Sequence, residues 1–272
     1  MTTLVDPQVL ATELLHAYDG TALVPTVTAR SDAFSMAHAY VVADRTRTLR
    51  LARGERTLGY KIGFTNRSLW PVYGVHEPIW GPVWNTTTRQ LDGARVEASL
   101  TGLSLPRLEP EIVFGFASSP RAGMNEAELT GCLAWVAHGF EIVHTHYEGW
   151  RFKAPDTVAD FALHGRLLIG PQVPVSRFDR LGPELAALQV ELLRDGAPVD
   201  EGSATVVLDG PLNALRLWVD AMAAQPQRWP ILPGDVVTTG TITDAWPLLP
   251  GQRWSTLLSD ARLSGLQLST TA

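Results

Sequence analysis

The chain has 272 residues, of which 45% are hydrophobic, so it can form one large domain or two modest ones around a sizeable core. Its formal net charge of −6 argues against non-specific binding to nucleic acid or to an anionic membrane. Its single cysteine, Cys132, excludes an internal disulfide framework and any zinc site built from several cysteines. No secretory signal is recognisable and no apolar run is long enough to cross a bilayer, so we expect a cytoplasmic protein.

Helical spacing over residues 7–18 and 33–53 predicts two helices in the first part of the chain. Two more are expected further on: one beginning near Asn125, with Glu128 in capping-box position, and one following Pro211.

From about Leu58 the helical spacing gives way to strand-like segments that alternate with glycine and proline. The predicted strands are 60–64, 96–100, 109–116, 140–145, 167–169, 187–193, 236–239 and 263–268. This order predicts an α+β fold in which a helical N-terminal segment (1–57) packs on a mixed β body (58–272). The two parts can also form one continuous domain.

The segment GYKIGFT places a lysine in a short apolar strand. Alternation puts Lys61, Gly63 and Thr65 on one face, and the missing Cβ of glycine lets a ligand approach that face closely. A lysine that reaches from a strand edge into water is the alternative interpretation.

Two glutamates open the strand PRLEPEIVFGF. Glu109 and Glu111 are two residues apart, so their carboxylates point to the same side and repel each other. Either both face water, or one is protonated, or a cation lies between them. Pro110 cannot donate a ladder hydrogen bond and predicts a sheet edge or rim. A hard cation such as Mg²⁺ or Mn²⁺ suits paired carboxylates, whereas a solvated strand end is the alternative.

A third acid, Glu141, lies in the apolar segment GFEIVHTH. If this strand alternates strictly, His144 and His146 point to the side opposite Glu141. We therefore interpret the two histidines as structural or surface groups rather than as partners of Glu141.

The segments PRLEPEIVFGF, GFEIV, GYKIGFTN and PDTVAD together resemble the fumarylacetoacetate hydrolase superfamily. Within it, the chain is most similar to the branch of 2-keto-4-pentenoate hydratases and 4-oxalocrotonate decarboxylases, from about residue 30 to the C-terminus. The resemblance implies a mixed β-sheet roll of the superfamily's C-terminal type and assembly into a homo-oligomer. It also implies a divalent metal, usually Mg²⁺, held by Glu109, Glu111 and Glu141. Lys61 would then pair with a substrate carboxylate or assist proton transfer.

Two further segments are expected at the site. In PDTVAD, Asp156 reads as a helix N-cap, while the resemblance implies that Asp160 helps to hold the water shell of the metal and makes Lys153 a weaker catalytic candidate. In GDVVTTGTITD, backbone N–H groups and hydroxyls suit a carboxylate, and the resemblance implies that this turn closes over the metal. The substrate-binding candidates there are Thr239, Gly240 and Thr243, with a simple hairpin turn as the alternative.

The chain departs from the family's pattern at three positions. Ile79 in PIWG stands where the hydratases usually carry aspartate, and Phe161 and Leu163 stand where they tend to carry asparagine and serine. His76, Glu77 or His164 are candidate replacements for the lost polar groups. The apolar residues favour a bulkier or less polar substrate.

The predicted function is that of a Mg²⁺-dependent hydratase of a 2-hydroxy-2,4-dienoate in aromatic catabolism, acting on a small 2-oxo acid through a metal-stabilised enolate. The alternatives are a decarboxylase or a C–C hydrolase of a related 2-oxo acid, and a catalytically altered binding or partner subunit.

Overall fold

The computed structural model describes residues 5–227 and 229–272. The α-helices are α1 (Pro7–Gly20), α2 (Val27–Arg30), α3 (Met36–Ala52), α4 (Trp70–Tyr73), α5 (Glu126–Thr130), α6 (Ala154–Ala159), α7 (Leu181–Ala186) and α8 (Pro211–Ala224). Short 3₁₀ turns lie at Arg67–Leu69, Glu148–Trp150, Phe161–Leu163, Val175–Arg177 and Ala204–Val206.

The strands of the first half are β1 (Thr57–Gly63), β2 (Ile79–Trp84), β3 (Thr88–Gln90), β4 (Arg95–Ser99), β5 (Arg107–Phe116), β6 (Leu133–Val143) and β7 (His164–Ile169). Those of the second half are β8 (Val173–Pro174), β9 (Gln189–Arg194), β10 (Ala197–Ser203), β11 (Val236–Thr241), β12 (Trp246–Pro247), β13 (Arg253–Leu258) and β14 (Gln267–Thr271).

The strands form two sheets. The larger runs β2-β1-β11-β5-β6-β7-β3, with β12 added beside β5 and β8 beside β6. The smaller runs β10-β9-β13-β14-β4. Parallel pairs (β1 with β11, β3 with β7 and β14 with β4) occur among antiparallel ones, so both sheets are mixed, as predicted. The helices gather at one end of the chain and between the strands, which confirms the α+β class.

Helix α1 shows how the N-terminal segment joins this body. Asp6 caps its first turn by accepting the N–H groups of Gln8 and Val9, and its buried face carries Leu10 and Leu14. These leucines belong to the same hydrophobic cluster as residues of β1, β5 and α8. Helix α1 itself packs on α3, and α3 reaches the larger sheet through Tyr40, whose ring centroid lies 4.8 Å from that of Trp80 on β2.

Helix α6 begins earlier than predicted, so the assignment of Asp156 as its N-cap is wrong. Lys153 occupies the cap position and Pro155 lies in the first turn, where its missing N–H has no helical partner to lose. The buried Asp156 carboxylate instead accepts the N–H of Lys153 (2.9 Å) together with the N–H (2.9 Å) and hydroxyl (2.7 Å) of Thr28. It thereby ties the N-terminal segment to α6.

Pro110 does not mark a sheet edge, so the prediction of an edge or rim at this residue is wrong. Strand β5 lies between β11 and β6 in the larger sheet. On β11, Thr238 pairs with Val113 but Thr241 pairs with Glu111, so three steps on β11 match two on β5. Such a bulge leaves ladder groups unpaired locally, and a proline without a donor is tolerated beside it.

The other predicted segments mentioned here occur where they were expected, except that the last strand is displaced. The capping box of Asn125 and Glu128 and the helix that starts at Pro211 are confirmed. The last predicted strand lies further on, at Gln267–Thr271, because Leu263 and Leu266 are buried in the loop that precedes it. Within the described residues, no helix combines the length and apolarity that crossing a membrane requires.

Candidate metal centre

Three carboxylates meet on the strand pair β5–β6. Glu109 lies directly opposite Glu141 in the antiparallel ladder, and Glu111 follows two residues along β5 on the same face. Each offers one oxygen, and these three oxygens lie within 4.8 Å of one another. Glu111 and Glu141 are fully buried, whereas Glu109 is partly exposed. The structure thus brings together the three residues predicted as metal ligands.

The bulge on β11 fixes Glu111. Its Oε2 accepts hydrogen bonds from the Thr238 hydroxyl and, at 2.8 Å, from the Gly240 N–H. Gly240 has φ +102°, and an added Cβ there would collide with the Thr65 hydroxyl, so the position requires glycine. Two donors on one oxygen leave the other oxygen to face the remaining carboxylates.

Glu141 is held from two sides. His164 Nδ1 lies 2.8 Å from Glu141 Oε1, and its other nitrogen lies 2.8 Å from the Thr87 hydroxyl. Lys61 Nζ, also buried, lies 3.2 Å from Glu141 Oε2. Since Lys61 belongs to β1 and His164 to β7, strands on both sides of the β5–β6 pair position this one carboxylate.

The hydrogen-bond partners of the triad oxygens show whether these residues suit a divalent metal. In the part of the chain that the structure describes, the buried Glu111 Oε1 accepts no hydrogen bond, and the buried Glu141 Oε2 faces the Lys61 ammonium at 3.2 Å. Buried polar atoms without partners cost free energy, and each carboxylate oxygen is a ligand that Mg²⁺ and Mn²⁺ prefer. The residues therefore fit a hard cation held by Glu109, Glu111 and Glu141.

The electrostatics of the triad also call for a cation. Burial raises the pKa of Glu109 to about 7, with Lys61 opposing the rise and Glu141 adding to it. Burial and the two neighbouring carboxylates raise the pKa of Glu111 well above its ordinary value. Burial would do the same to Glu141, but Lys61 and His164 outweigh it and lower the pKa of that group. One ammonium group thus compensates only part of the negative charge of three ionised carboxylates.

The triad borders a cleft of about 430 Å³. Lys61, Glu109 and Gly240 line its floor, where Gly63 leaves room beside the Lys61 ammonium. Its walls come mainly from the residues Phe64, Leu69, Tyr73, Ile79, Arg107, Val143, Trp150, Phe152 and Leu163.

Among the predicted substrate-binding residues, Gly240, Ile79 and Leu163 line this cleft. Thr239 does not, because its buried hydroxyl is bonded to the carbonyl of Ile112 (3.1 Å). The Thr243 hydroxyl is likewise bonded to the carbonyl of Asp244.

Phe161 also lies away from the cleft, packed on Tyr18 with ring centroids 4.6 Å apart. These placements divide the predicted set into residues that face the cleft and residues that support its walls.

The structure does not bring Asp160 to the triad. Its carboxylate is bonded to His146 Nδ1 (2.6 Å), to the His146 N–H and to the Thr145 hydroxyl, so it orients the chain that follows β6. His144 and His146 stay clear of Glu141, as alternation indicates. Lys153 is exposed, next to the cleft residue Phe152.

Several site residues escaped the sequence reasoning. Thr238 could have been found, since it is adjacent to Thr239 and alternation sends its hydroxyl to the opposite face. Arg107 could also have been found, since it lies two residues before Glu109 on the same face of β5. Trp150 and Phe152 carry no local signal, because they lie at and just after the 3₁₀ turn Glu148–Trp150, outside any strand, and reach the cleft only through the tertiary fold.

No model of a protein family matches this chain. A 2-hydroxyhexa-2,4-dienoate hydratase from Comamonas testosteroni is 28% identical over 97% of this chain and 99% of its own length. A 2-keto-4-pentenoate hydratase from Paraburkholderia phymatum is 31% identical over 75% of each chain.

The chain belongs to the 2-keto-4-pentenoate hydratase family. This family lies within the fumarylacetoacetate hydrolase superfamily, in the branch that the sequence motifs indicated. A solved 4-oxalocrotonate decarboxylase from Pseudomonas putida, complexed with magnesium and adipate, superimposes with a TM-score of 0.88. It is 24% identical and covers 99% of this chain and 100% of its own, which confirms the fold of the family.

His164 supplies the first prediction. Replacing it with leucine removes the donor to Glu141 while keeping apolar bulk, so we expect Mg²⁺ affinity to fall about 10- to 100-fold, the usual effect of losing a group that orients a metal ligand. His164→Asn, which can donate from nearly the same place, should retain most of the affinity. Isothermal titration calorimetry with Mg²⁺ measures both, and unchanged affinity in folded His164→Leu would contradict the assignment.

Glu109 supplies a pH dependence. Its folded-state pKa of about 7 lies above its ordinary 4.5, so the metal-free protein holds a proton that the unfolded chain releases, and this stabilisation is lost as pH rises through 7. Metal binding needs the ionised form. Saturating Mg²⁺ should therefore raise the melting temperature more at pH 8 than at pH 6, as measured by scanning calorimetry. Glu109→Gln should weaken this dependence, and equal shifts in the wild-type protein at both pH values would refute the prediction.

Proposed function

We propose that this protein is a Mg²⁺-dependent lyase that hydrates a 2-hydroxy-2,4-dienoate or the corresponding 2-oxo-alkenoate. The observation that carries the proposal is the triad of Glu109, Glu111 and Glu141 beside a cleft, which Glu109 and the neighbouring Lys61 line. Relatives of the family that are named hydratases of such dienoates support it. When bound at the triad, Mg²⁺ supplies Lewis acidity toward the oxygens of a 2-oxo acid.

Lys61 is the residue best placed to handle a proton or a substrate carboxylate. Burial alone would lower the pKa of Lys61, but Glu141, Glu109 and Glu111 outweigh burial and raise it. The group is therefore a buried ammonium ion that lines the cleft, and its Nζ can donate hydrogen bonds. We assign it the binding of a substrate oxygen and proton donation from Nζ, with Glu141 fixing its position.

The walls of the cleft select for a planar, unsaturated carbon chain. Ring centroids of Phe64 and Tyr73 lie 4.8 Å apart, and those of Tyr73 and Phe152 lie 5.9 Å apart, so the aromatic side chains form a continuous surface. Ile79 and Leu163 add aliphatic contacts. A conjugated dienoate fits such a surface, because its flat apolar chain buries against the rings.

Decarboxylation of a vinylogous 2-oxo acid is the second candidate function. One observation favours it: Ile79 and Leu163 line the cleft where polar groups that could hold an attacking water were expected. An enolate formed by loss of CO₂ needs no bound water. Glu109, Glu111, Glu141 and Lys61 would have the same roles in both reactions.

Homo-oligomer formation and a cytoplasmic location stay predictions from the sequence. The roles given above to the triad, to Lys61 and to the cleft residues are part of the proposal. Asp160 is proposed to act by orienting His146, and Lys153 is proposed to act from its exposed position next to Phe152.

Turnover tests the proposal directly. Purified protein with Mg²⁺ should consume 2-hydroxypenta-2,4-dienoate, and the loss of ultraviolet absorbance measures this reaction. Release of CO₂ from 4-oxalocrotonate measures the second candidate reaction. Glu111→Gln should lower kcat/KM by about 100-fold or more, because it removes a ligand charge at constant shape. Glu97→Gln, on the exposed face of β4 in the other sheet, is the control and should leave the rate unchanged.

Two results would count against the proposal. One is full activity in Glu111→Gln with the metal still bound. The other is the absence of both reactions in a folded protein that binds Mg²⁺ tightly, which would favour hydrolysis, tautomerisation or a binding role.

A further inference from the structure

One cation in the cleft has no assigned role. The Arg107 side chain lines the cleft and is only partly buried, and in residues 5–227 and 229–272 no acid forms an ion pair with it and no hydrogen bond engages its guanidinium. The other cation there, Lys61, forms an ion pair with Glu141 and already has its role beside the triad. Arg107 is therefore free to receive a ligand.

The guanidinium is nevertheless held in place. Its central carbon lies 4.2 Å from the centre of the Trp150 ring, and the Trp150 indole N–H is in turn bonded to the Leu105 carbonyl at 3.0 Å. An arginine stacked on an aromatic ring keeps its N–H edges available for a planar, bidentate partner. The pair thus forms a preorganised receptor for a carboxylate.

Its place in the strand puts this receptor away from the metal centre. Arg107 precedes Glu109 by two residues on β5, about 7 Å along the strand, on the same face. Tyr73 and Phe152 line the same cleft with their rings stacked on each other, and the Phe152 ring centroid lies 6.0 Å from that of Trp150. A substrate whose 2-oxo acid end lies at the triad therefore extends its other end along this wall toward Arg107.

We propose that Arg107 binds a second anionic group at the far end of the substrate, so that the preferred substrate is a 2-oxo diacid or its hydroxydienoate form rather than a monoacid. The inference rests on the proposed function, because it takes the triad as the binding place of the 2-oxo acid end. Asp244 also lines the cleft, and its exposed carboxylate forms no ion pair with Arg107 in the described chain. Arg107 alone supplies the recognising charge.

Two unreactive ligands distinguish binding of the distal carboxylate from binding of the 2-oxo acid end. With Mg²⁺ present, calorimetry compares 2-oxoadipate with 2-oxohexanoate, which has the same chain length but a methyl group in place of the second carboxylate. The wild-type protein should bind the diacid at least about tenfold more tightly, the usual worth of a charge-assisted hydrogen bond. Arg107→Gln should remove that preference and leave 2-oxohexanoate unaffected, and Arg107→Lys should restore part of it.

Arg151→Gln is the matched control. Arg151 is exposed, and it lies between the cleft residues Trp150 and Phe152 without itself lining the cleft, so its loss changes the net charge equally but should keep the preference. Equal affinities of the wild-type protein for both ligands, or a parallel loss of both in Arg107→Gln, would overturn the inference while leaving the proposed function standing. Failure of both ligands to bind in the presence of Mg²⁺ would overturn the proposed function and the inference with it.

Discussion

The structure depends on one electrostatic constraint: three carboxylates share a space that only a cation makes stable. Two unit charges within 4.8 Å repel by about 3 kcal/mol or more at the effective dielectric constant of a protein interior, and burying each charge costs several kcal/mol besides. Lys61 offsets one of the three charges. The remainder appears as raised pKa values at Glu109 and Glu111 and as the buried Glu111 Oε1, which accepts no hydrogen bond among the described residues. A divalent ion removes both costs together.

The backbone pairing around the triad brings the three carboxylates together at this one place. Antiparallel pairing of β5 and β6 sets Glu109 opposite Glu141, and the bulge on β11 turns the Gly240 N–H toward Glu111. His138, which pairs with Ile112 in the ladder, links the Glu111 carbonyl (3.0 Å) to Thr256 of the smaller sheet (2.8 Å). Burial lowers its pKa to about 4, so it is a neutral connector between the sheets. The metal centre is thus supported from both sheets of the fold.

Local chemistry let the sequence predict the strands that carry the triad, the capping box at Asn125 and the helix at Pro211, because periodicity and capping act over a few residues. It could not predict that β5 lies inside the sheet, because the bulge that accommodates Pro110 is on a strand more than a hundred residues away. For the same reason the sequence favoured Thr239 and Thr243 and passed over Thr238, although of these three threonines only Thr238 contacts Glu111, together with Gly240. The function of Asp160 as the partner of His146 likewise depends on how the loop after β6 folds back.

A family of lyases that shares one metal chemistry differs in what lies beyond the metal, and here that region is aromatic and ends in an arginine. The central claim nevertheless concerns the metal itself. Anomalous diffraction from crystals grown with Mn²⁺ tests it most directly. We predict one strong peak with oxygens of Glu109, Glu111 and Glu141 at about 2.1 to 2.2 Å, a distance typical of a hard octahedral cation. A triad without a peak, with Lys61 Nζ filling the space among the carboxylates, would contradict the account.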